Sequence, residues 1–406
     1  MKTIAVAGLR SHRNTGEHIL FKTTEWLITS QAQVDIRHID FQSKKVRLIP
    51  AAMQKIRRIA ARVLRVRRAW SKSTSAVHGS ANNGVPKANP QKQFERYRQL
   101  HYRPFMRDLK DCDGLVFACG SFKYGTQLLW CSYSVLIECC ESRGIPVMFN
   151  GVNVQAYDPA NFACQTLKEH ANSKAVKVFT TRDGRPGVMR LRENYITNPD
   201  ILLQDVGDPG FWIPEAYGVT RQKGNPVIGV NLLRSTQFQR YGVDVTPERV
   251  VQAYADLLRL LDGAGLKWEL FTNGMDEDLD GLDRIRAAYG GEGDFHVAIP
   301  RDDLDFVRRV SKYEAIVGAR LHACICAYAL DIPMVGFIWD EKMACFAKVT
   351  GNEDRLCKPE DFSGKALYST LQSTMIKPYD TALRQRLREA TRNSIRVFLN
   401  GDIDHP

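Results

Sequence analysis

Arg320 and His322 lie at the joint between two apolar stretches of the sequence, where a buried polar pair is costly. The stretch YEAIVGARL before them is typical of a buried strand, and ACICAYAL after them of a buried helix. Lys342 follows the next strand-like run, IPMVGFIW. Ligands of open parallel sheets bind beyond the carboxyl ends of strands, and a helix N-terminus attracts anions. We therefore predict an anion site here, suited to phosphate plus carboxylate.

Each of these residues also has a structural explanation when it is taken alone. His322 is then a capping or core histidine that the backbone satisfies, and Arg320 is an ion-pair partner. The argument for a binding site depends on Lys342, the third cation, at the end of the neighbouring strand.

Strand-like and helix-like stretches alternate along most of the chain, which predicts α/β sheets. We predict two Rossmann-like lobes that resemble the GT-B glycosyltransferase arrangement, with a C-terminal crossing helix. The predicted units are an N-terminal α/β domain (1–214), a C-terminal α/β domain with the anion site (215–378) and a helix that packs back (379–406). This is an analogy of fold, and it fixes no chemistry.

The positive charge of the chain is concentrated in one insert of the first domain, residues 44–94. The net charge is +12, but the acid-free stretch between Asp40 and Glu95 carries 13 Lys and Arg, so the remainder is about neutral (12 − 13 = −1). Nucleic acid is therefore not an expected partner of the fold. Residues 50–72 predict an amphipathic cationic helix, which either lies on an anionic membrane, docks another anionic polymer, or packs on its own domain.

Several classes of site and location are disfavoured by the sequence. It has no Gly-rich dinucleotide loop, no Walker A loop and no zinc pattern, and its cysteines lie mostly in apolar runs, as reduced thiols do. Asp276, Asp278 and Asp280 begin like a calcium loop, but Ala287 replaces the required Glu. We predict no metal and no cofactor. With no signal peptide and no apolar run of about 20 residues, we expect a cytoplasmic protein, free or peripheral at the inner face of the cell membrane.

The stretch VGARLHACICAYALDIPMVGFIWDEK resembles the polysaccharide pyruvyltransferase family, whose hallmark is G-x-R-L-H, an apolar helix, a Pro-containing strand and a Lys soon after. NTGE resembles the N-terminal N-x-G-D loop of that family, with Glu17 in place of Asp, and TTRDGRPGVMRL resembles its R-D element. The likeness covers nearly the whole chain except the basic insert.

The resemblance implies transfer of the enolpyruvate unit of phosphoenolpyruvate to two hydroxyls of one sugar, giving a pyruvate ketal and phosphate. Family residues match at Arg182, Arg320, His322 and Lys342. Arg182 or Arg320 is then expected to hold the carboxylate, Lys342 the phosphate, and His322 to act as the general acid. A nearby phosphate favours the imidazolium, whereas the helix N-terminus lowers the pKa of His322. The direction of the pKa shift of His322 therefore depends on whether substrate is bound.

The resemblance places the acceptor on the first domain, with candidate residues Asn14, Gly16, Glu17, Asn153 and Asp183. Glu17 and Asp183 are candidates for the base that activates the sugar hydroxyls. The dipole of the helix that Glu17 begins explains this residue better than a role as base, and Asp183 is alternatively a helix cap.

The predicted acceptor is a saccharide precursor of an exopolysaccharide or cell-wall glycan. If it is lipid-linked, the cationic helix at 50–72 has a reason to lie on a membrane. Two alternatives stay open: a nucleotide-sugar-dependent glycosyltransferase of GT-B type, and a non-catalytic glycan-binding member of the family. The first would usually show a ribose-binding Glu in the second domain, where the sequence offers no clear candidate.

Overall fold

The computed structural model describes residues 1–11, 13–42, 89–290 and 295–401. The predicted cationic helix at 50–72 lies outside these residues, as does most of the basic insert. Within the described ranges, no helix is both long enough and apolar enough to cross a membrane.

The first half of the chain forms a seven-stranded sheet with parallel pairing. Its strands are β1 (Lys2–Gly8), β2 (Val34–Asp40), β3 (Gly114–Phe117), β4 (Ser121–Phe122), β5 (Val147–Val154), β6 (Val176–Thr181) and β7 (Leu202–Asp205). They are ordered β2-β1-β3-β5-β6-β7, with β4 beside β5. Strands β3 and β5 are buried along their whole length, as expected for a sheet covered on both faces.

Helices connect these strands and cover the sheet. They are α1 (Thr15–Thr29), α2 (Pro90–Asp108), α3 (Gln127–Arg143), α4 (Phe162–Ala171), α5 (Gly184–Arg190) and α6 (Ile213–Tyr217), with a 3₁₀ turn at Pro209–Trp212 and a π-helical turn at Leu191–Tyr195. Asn14 caps the N-terminus of α1, and its side chain accepts a hydrogen bond of 3.1 Å from the N–H of Gly16.

The second half forms a six-stranded parallel sheet. Its strands are β8 (Val227–Asn231), β9 (Lys267–Phe271), β10 (Val297–Ala298), β11 (Ala315–Gly318), β12 (Met334–Phe337) and β13 (Leu356–Cys357), in the order β10-β9-β8-β11-β12-β13. Its helices are α7 (Gln237–Arg240), α8 (Pro247–Gly263), α9 (Leu282–Tyr289), α10 (Asp303–Val310), α11 (Leu321–Ala329), α12 (Glu341–Thr350) and α13 (Gly364–Ile376), with 3₁₀ turns at Asp276–Leu279 and Glu353–Arg355.

The last helix, α14 (Thr381–Asn400), returns to the first sheet. Ile395 and Phe398, spaced for one face of a helix, share a buried apolar cluster with Ile4 and Met148 of that sheet. The predicted α/β class, with two Rossmann-like lobes and a crossing helix, is confirmed. The predicted domain boundary near residue 214 falls between β7 and β8, and the division into domains stays a prediction.

The N-terminus of α1 joins the two halves. The backbone N–H of Thr15 donates to the carbonyl of Asn273 at 3.1 Å, and the Thr15 hydroxyl donates to the same oxygen at 3.2 Å. Asn273 lies just beyond β9, so the loop after β1 meets the loop after β9. Because both sheets are parallel, the loops at their carboxyl ends face a shared space between the halves.

Candidate active site

A cleft of ≈ 470 Å³ occupies this space. Its charged, polar and aromatic lining includes Asn14, Glu17, Lys123 and Arg182 from the first half, and Arg240, Tyr241, Arg320, His322, Trp339 and Lys342 from the second. The structure therefore brings six of the nine residues predicted from the sequence to one cleft, which are Asn14, Glu17, Arg182, Arg320, His322 and Lys342.

His322 lies in the first turn of α11, with its imidazole against Gly16 of α1. Its Nε2 is buried and has no hydrogen-bond partner among the described residues. Burial lowers the pKa of His322 to about 4, while the Asp208 carboxylate raises it and the Arg182 guanidinium lowers it further. The imidazole is therefore neutral at neutral pH in the ligand-free cleft.

Arg182 follows β6 directly and is buried. Its Nη1 forms an ion pair with Asp208, and its Nη2 donates to the carbonyl of Gly120 at 2.8 Å. Asp208 also accepts a hydrogen bond of 2.7 Å from the N–H of Gly210. Both terminal nitrogens of Arg182 are thus committed to the protein before any ligand binds.

Arg320, at the start of α11, is held by the buried carboxylate of Asp278. Its Nε donates to Oδ2 at 3.1 Å, and its Nη2 pairs with Oδ1. Its backbone N–H donates to Oδ1 of Asn231 at 3.0 Å, and its guanidinium carbon lies 5.9 Å from the ring centroid of Trp339. Within the described residues, Nη1 makes no hydrogen bond, so this nitrogen is left for a ligand.

The acidic stretch that begins like a calcium loop supplies this partner of Arg320. Asp278 lies in the 3₁₀ turn after β9, whereas Asp276 pairs with Arg13 and Asp280 accepts from the hydroxyl of Ser235 at 3.4 Å. Each of these three carboxylates therefore has a different partner. Sequence analysis missed the role of Asp278 because no local spacing links it to a residue 42 positions away.

Two lysines line the cleft from opposite halves. Lys342 lies in the first turn of α12, with its Nζ 3.8 Å from Oδ2 of Asp340. Lys123, between β4 and α3, makes no hydrogen bond or ion pair with the residues that the structure describes. Burial and the ammonium group of Lys342 lower the pKa of Lys123, and the carboxylates of Glu17 and Asp340 oppose this to a smaller extent. Sequence analysis missed Lys123, which follows a strand of only two residues and carries no periodic signal.

Glu17, in the first turn of α1, also places an unsatisfied atom in this region. Its Oε2 is buried without a hydrogen-bond partner among the described residues. Its Oε1 lies 3.6 Å from the point that a Cβ on Gly120 would occupy, which sets the carboxylate beside the loop that Arg182 also contacts. Asn14 lines the same cleft and caps α1.

Asn153 and Asp183 do not line the cleft. The amide of Asn153 donates to both carboxylate oxygens of Asp183, at 3.0 and 2.9 Å, and the N–H of Val154 donates to Oδ2 at 2.7 Å. Burial raises the pKa of Asp183. Its side chain makes no capping hydrogen bond to α5, so it fastens the end of β5 to the segment that carries Arg182.

Tyr241 and Trp339 form an aromatic wall of the cleft. Their ring centroids lie 4.9 Å apart at an interplanar angle of 75°, and the indole N–H of Trp339 donates to the carbonyl of Ala319 at 2.7 Å. Tyr241 is 49% exposed, so part of this residue is accessible to a ligand. Neither residue was singled out from the sequence.

Two parallel Rossmann-like sheets, a cationic cleft between them and a helix that crosses back define a two-lobed α/β protein of the GT-B type. The family model described as polysaccharide pyruvyl transferase matches residues 42–341, and the chain belongs to this family. The family membership predicted from the sequence is confirmed.

Solved structures share the fold at low sequence identity. The UDP-GlcNAc 2-epimerase from Methanocaldococcus jannaschii has a TM-score of 0.56 at 12% identity, over 99% of this chain and 100% of that one. The UDP-GlcNAc 2-epimerase from Neisseria meningitidis, bound to UDP-GlcNAc, has a TM-score of 0.54 at 12% identity, over 98% of this chain and 100% of that one. At such identity the likeness shows the fold alone. A search of curated proteins found no match.

Proposed function

We propose that the protein transfers the enolpyruvate unit of phosphoenolpyruvate to two hydroxyls of one saccharide, forming a pyruvate ketal and releasing phosphate. Family membership supports a transferase of this class. The observation that carries the proposal is His322, a buried imidazole with an unpartnered Nε2, in a cleft that also holds Lys342 and Arg320. A small, strongly anionic donor suits these cations beside one titratable ring.

The reaction requires proton delivery and proton removal in the same cleft. A proton added to the methylene carbon of the donor makes a methyl group and leaves an oxocarbenium-like centre on the next carbon. The first hydroxyl attacks that carbon and loses its proton. The C–O bond to phosphate then breaks, and phosphate departs with the bonding electrons. The second hydroxyl attacks and loses its proton, and of the two released protons one returns to the acid and one ends on phosphate.

His322 is the proposed acid. It is neutral in the empty cleft because burial lowers its pKa to about 4. The phosphate and carboxylate of the donor bring negative charge beside the ring, which favours the imidazolium. Donor binding would therefore charge the acid that the next step needs.

Arg320 and Lys342 are the proposed anchors of the donor. Asp278 fixes the guanidinium plane of Arg320 through Nε and Nη2, and Nη1 is left for the carboxylate of the donor. Lys342 suits the phosphate as a compact point charge. Arg182, whose two terminal nitrogens are engaged by Asp208 and Gly120, is proposed to orient the cleft and to contribute its positive charge.

Glu17 is the proposed base for the sugar hydroxyls, because its buried Oε2 has no partner in the described structure and it lines the same cleft as His322. Tyr241, which is 49% exposed in the wall of the cleft, is proposed as a surface on which the C–H groups of a sugar ring pack. We propose a precursor of an exopolysaccharide or cell-wall glycan as the acceptor.

A lipid-linked acceptor would explain the basic segment at 50–72, proposed to hold a cytoplasmic protein at the anionic inner face of the membrane. A variant without residues 50–88 should then sediment less with anionic liposomes than the full chain. Equal sedimentation of the two proteins would show that this segment does not hold the protein at a membrane.

The test of function is incubation with phosphoenolpyruvate and a panel of lipid-linked saccharides, read by phosphate release and by mass spectrometry for added pyruvate. The wild type should form the product, and His322→Ala should not, while both bind the donor. Consumption of a UDP-sugar without phosphate release from phosphoenolpyruvate would replace the proposal with a glycosyltransferase. If the wild type turns over neither donor but still binds a glycan, the family member is a non-catalytic one.

A further inference from the structure

We infer that Lys123 and Lys342 together bind the phosphate group of the substrate, one lysine from each half of the molecule. The inference rests on the proposed function in naming phosphoenolpyruvate as the source of that phosphate. The pair itself requires only a phosphate ester or free phosphate.

The two lysines approach the same space from different elements. Lys123 lies between β4 and α3 of the first half, and Lys342 lies in the first turn of α12 of the second half. Both line the cleft, where burial and the ammonium group of Lys342 lower the pKa of Lys123, while the carboxylates of Glu17 and Asp340 oppose this to a smaller extent. Two like charges held in one partly buried space are unfavourable unless an anion comes between them.

The other buried cations of the cleft are already neutralised by direct contact. Arg182 pairs with Asp208 and Arg320 with Asp278. The lysines differ: within the described residues Lys123 makes no hydrogen bond or ion pair, and the ion pair of Lys342 with Asp340 is 3.8 Å long, beyond a normal hydrogen bond. Arg240 also lines the cleft, but it is exposed and solvated.

A phosphate dianion supplies what this pair lacks. It carries enough charge for two ammonium groups and enough oxygens to accept from both, and lysine binds it as a point charge without a fixed plane. Charge on the phosphate grows as its bond to carbon breaks, so the pair would stabilise the departing group as well as the bound donor. The first half would then contact the phosphate of the donor as well, a role that sequence analysis gave to Lys342 of the second domain.

The experiment compares Lys123→Met with the wild type, and uses Lys348→Met as the matched control. Lys348 is exposed on the same helix as Lys342, so its replacement removes one positive charge of the same kind outside the cleft. Binding of phosphoenolpyruvate, inorganic phosphate and pyruvate is measured by calorimetry. We expect Lys123→Met to weaken phosphoenolpyruvate and phosphate by about 10- to 100-fold and to leave pyruvate, which has only the carboxylate, unchanged.

Thermal melting shows whether the Lys123→Met variant is folded as stably as the wild type. Removal of a desolvated ammonium without a partner should leave the melting temperature of the ligand-free protein equal or higher. A lower one would show that Lys123 holds the fold together, and would overturn the inference. Lys123→Arg should retain part of the phosphate affinity.

The remaining outcomes separate the pair from the proposed function. If the wild type binds inorganic phosphate through Lys123 but not phosphoenolpyruvate, the pair stands and the donor assignment fails. If Lys123→Met loses affinity for pyruvate, or raises only the KM of the acceptor, Lys123 contacts another group and the inference is wrong.

Discussion

Gly16 and His322 lie in contact across the cleft: a Cβ added to Gly16 would stand 2.2 Å from Nδ1 and 2.5 Å from Cγ of the imidazole. Gly16 lies in the first turn of α1. What the site requires of this glycine is the absence of a side chain, because the ring occupies the space that a methyl group would take. The first half of the molecule thereby fixes the orientation of the histidine that the second half carries.

Gly16→Ala should therefore displace the imidazole and lower kcat/KM by about 100-fold or more, since a shift of about 1 Å at a reacting group costs this much. The control is Gly263→Ala in α8, where an added Cβ meets nothing within 4 Å. It should leave steady-state kinetics unchanged. Full activity of Gly16→Ala would show that the ring is not confined as described.

Acid should destabilise the wild type more than His322→Gln. The pKa of His322 is lowered from 6.5 to about 4 in the folded protein. Between about pH 6.5 and pH 4 the imidazole of His322 is therefore protonated in the unfolded chain and neutral in the folded chain. The free energy of unfolding falls as pH drops through this window, because the unfolded state binds the additional proton. Relative to the variant, the wild type should lose about 3 kcal/mol between pH 7 and pH 4. Denaturant unfolding of both proteins across this pH range measures this loss. A difference in unfolding free energy between wild type and variant that stays constant with pH would contradict the prediction.

Binding of phosphoenolpyruvate should be coupled to proton uptake. His322 is neutral in the empty cleft, and an adjacent phosphate would raise its pKa. Calorimetry at pH 7 in buffers of different ionisation enthalpy should show net proton uptake by the wild type and less by His322→Gln. Equal uptake by both proteins would remove His322 as the proton acceptor during donor binding.

Asp278→Asn should destabilise the protein by about 2–4 kcal/mol, because it leaves the guanidinium of Arg320 partly buried without its counter-ion. The control is Asp354→Asn, which breaks the exposed ion pair with Lys377 and should cost about 1 kcal/mol or less. Urea unfolding compares the two. An equal, small effect of both changes would mean that Asp278 does not hold Arg320 in solution.

Glu17→Gln should lower kcat by about 10²- to 10⁴-fold and leave donor affinity unchanged, because it removes only the proposed proton acceptor for the sugar hydroxyls. The matched control is Glu248→Gln, which alters a first-turn carboxylate of α8. It should change stability slightly and activity not at all. If Glu17→Gln behaves in the same way, Glu17 serves only the helix dipole.

The features predicted from the sequence were those with a local pattern. Arg320 and His322 were recognisable because they interrupt an apolar strand and an apolar helix at their joint, and Lys342 because it follows the next strand. The alternation of elements also led to the two lobes and the crossing helix.

Features that depend on distant contacts were not predictable from the sequence. Nothing in 45 acidic residues indicates that Asp208 and Asp278 neutralise the two arginines. Asp183 was predicted for the site from its loop position in the first half, yet its carboxylate is held by the amide of Asn153 and the N–H of Val154, and it does not line the cleft.

The crossing helix also bears on the order in which the protein is made. The ribosome completes the first sheet long before it completes α14, although Ile4 and Met148 share one apolar cluster with Ile395 and Phe398. Until α14 is released, this face of the sheet lacks part of its cover and exposes apolar surface of the kind that chaperones bind. The N-terminal half therefore cannot finish folding until α14 has left the ribosome.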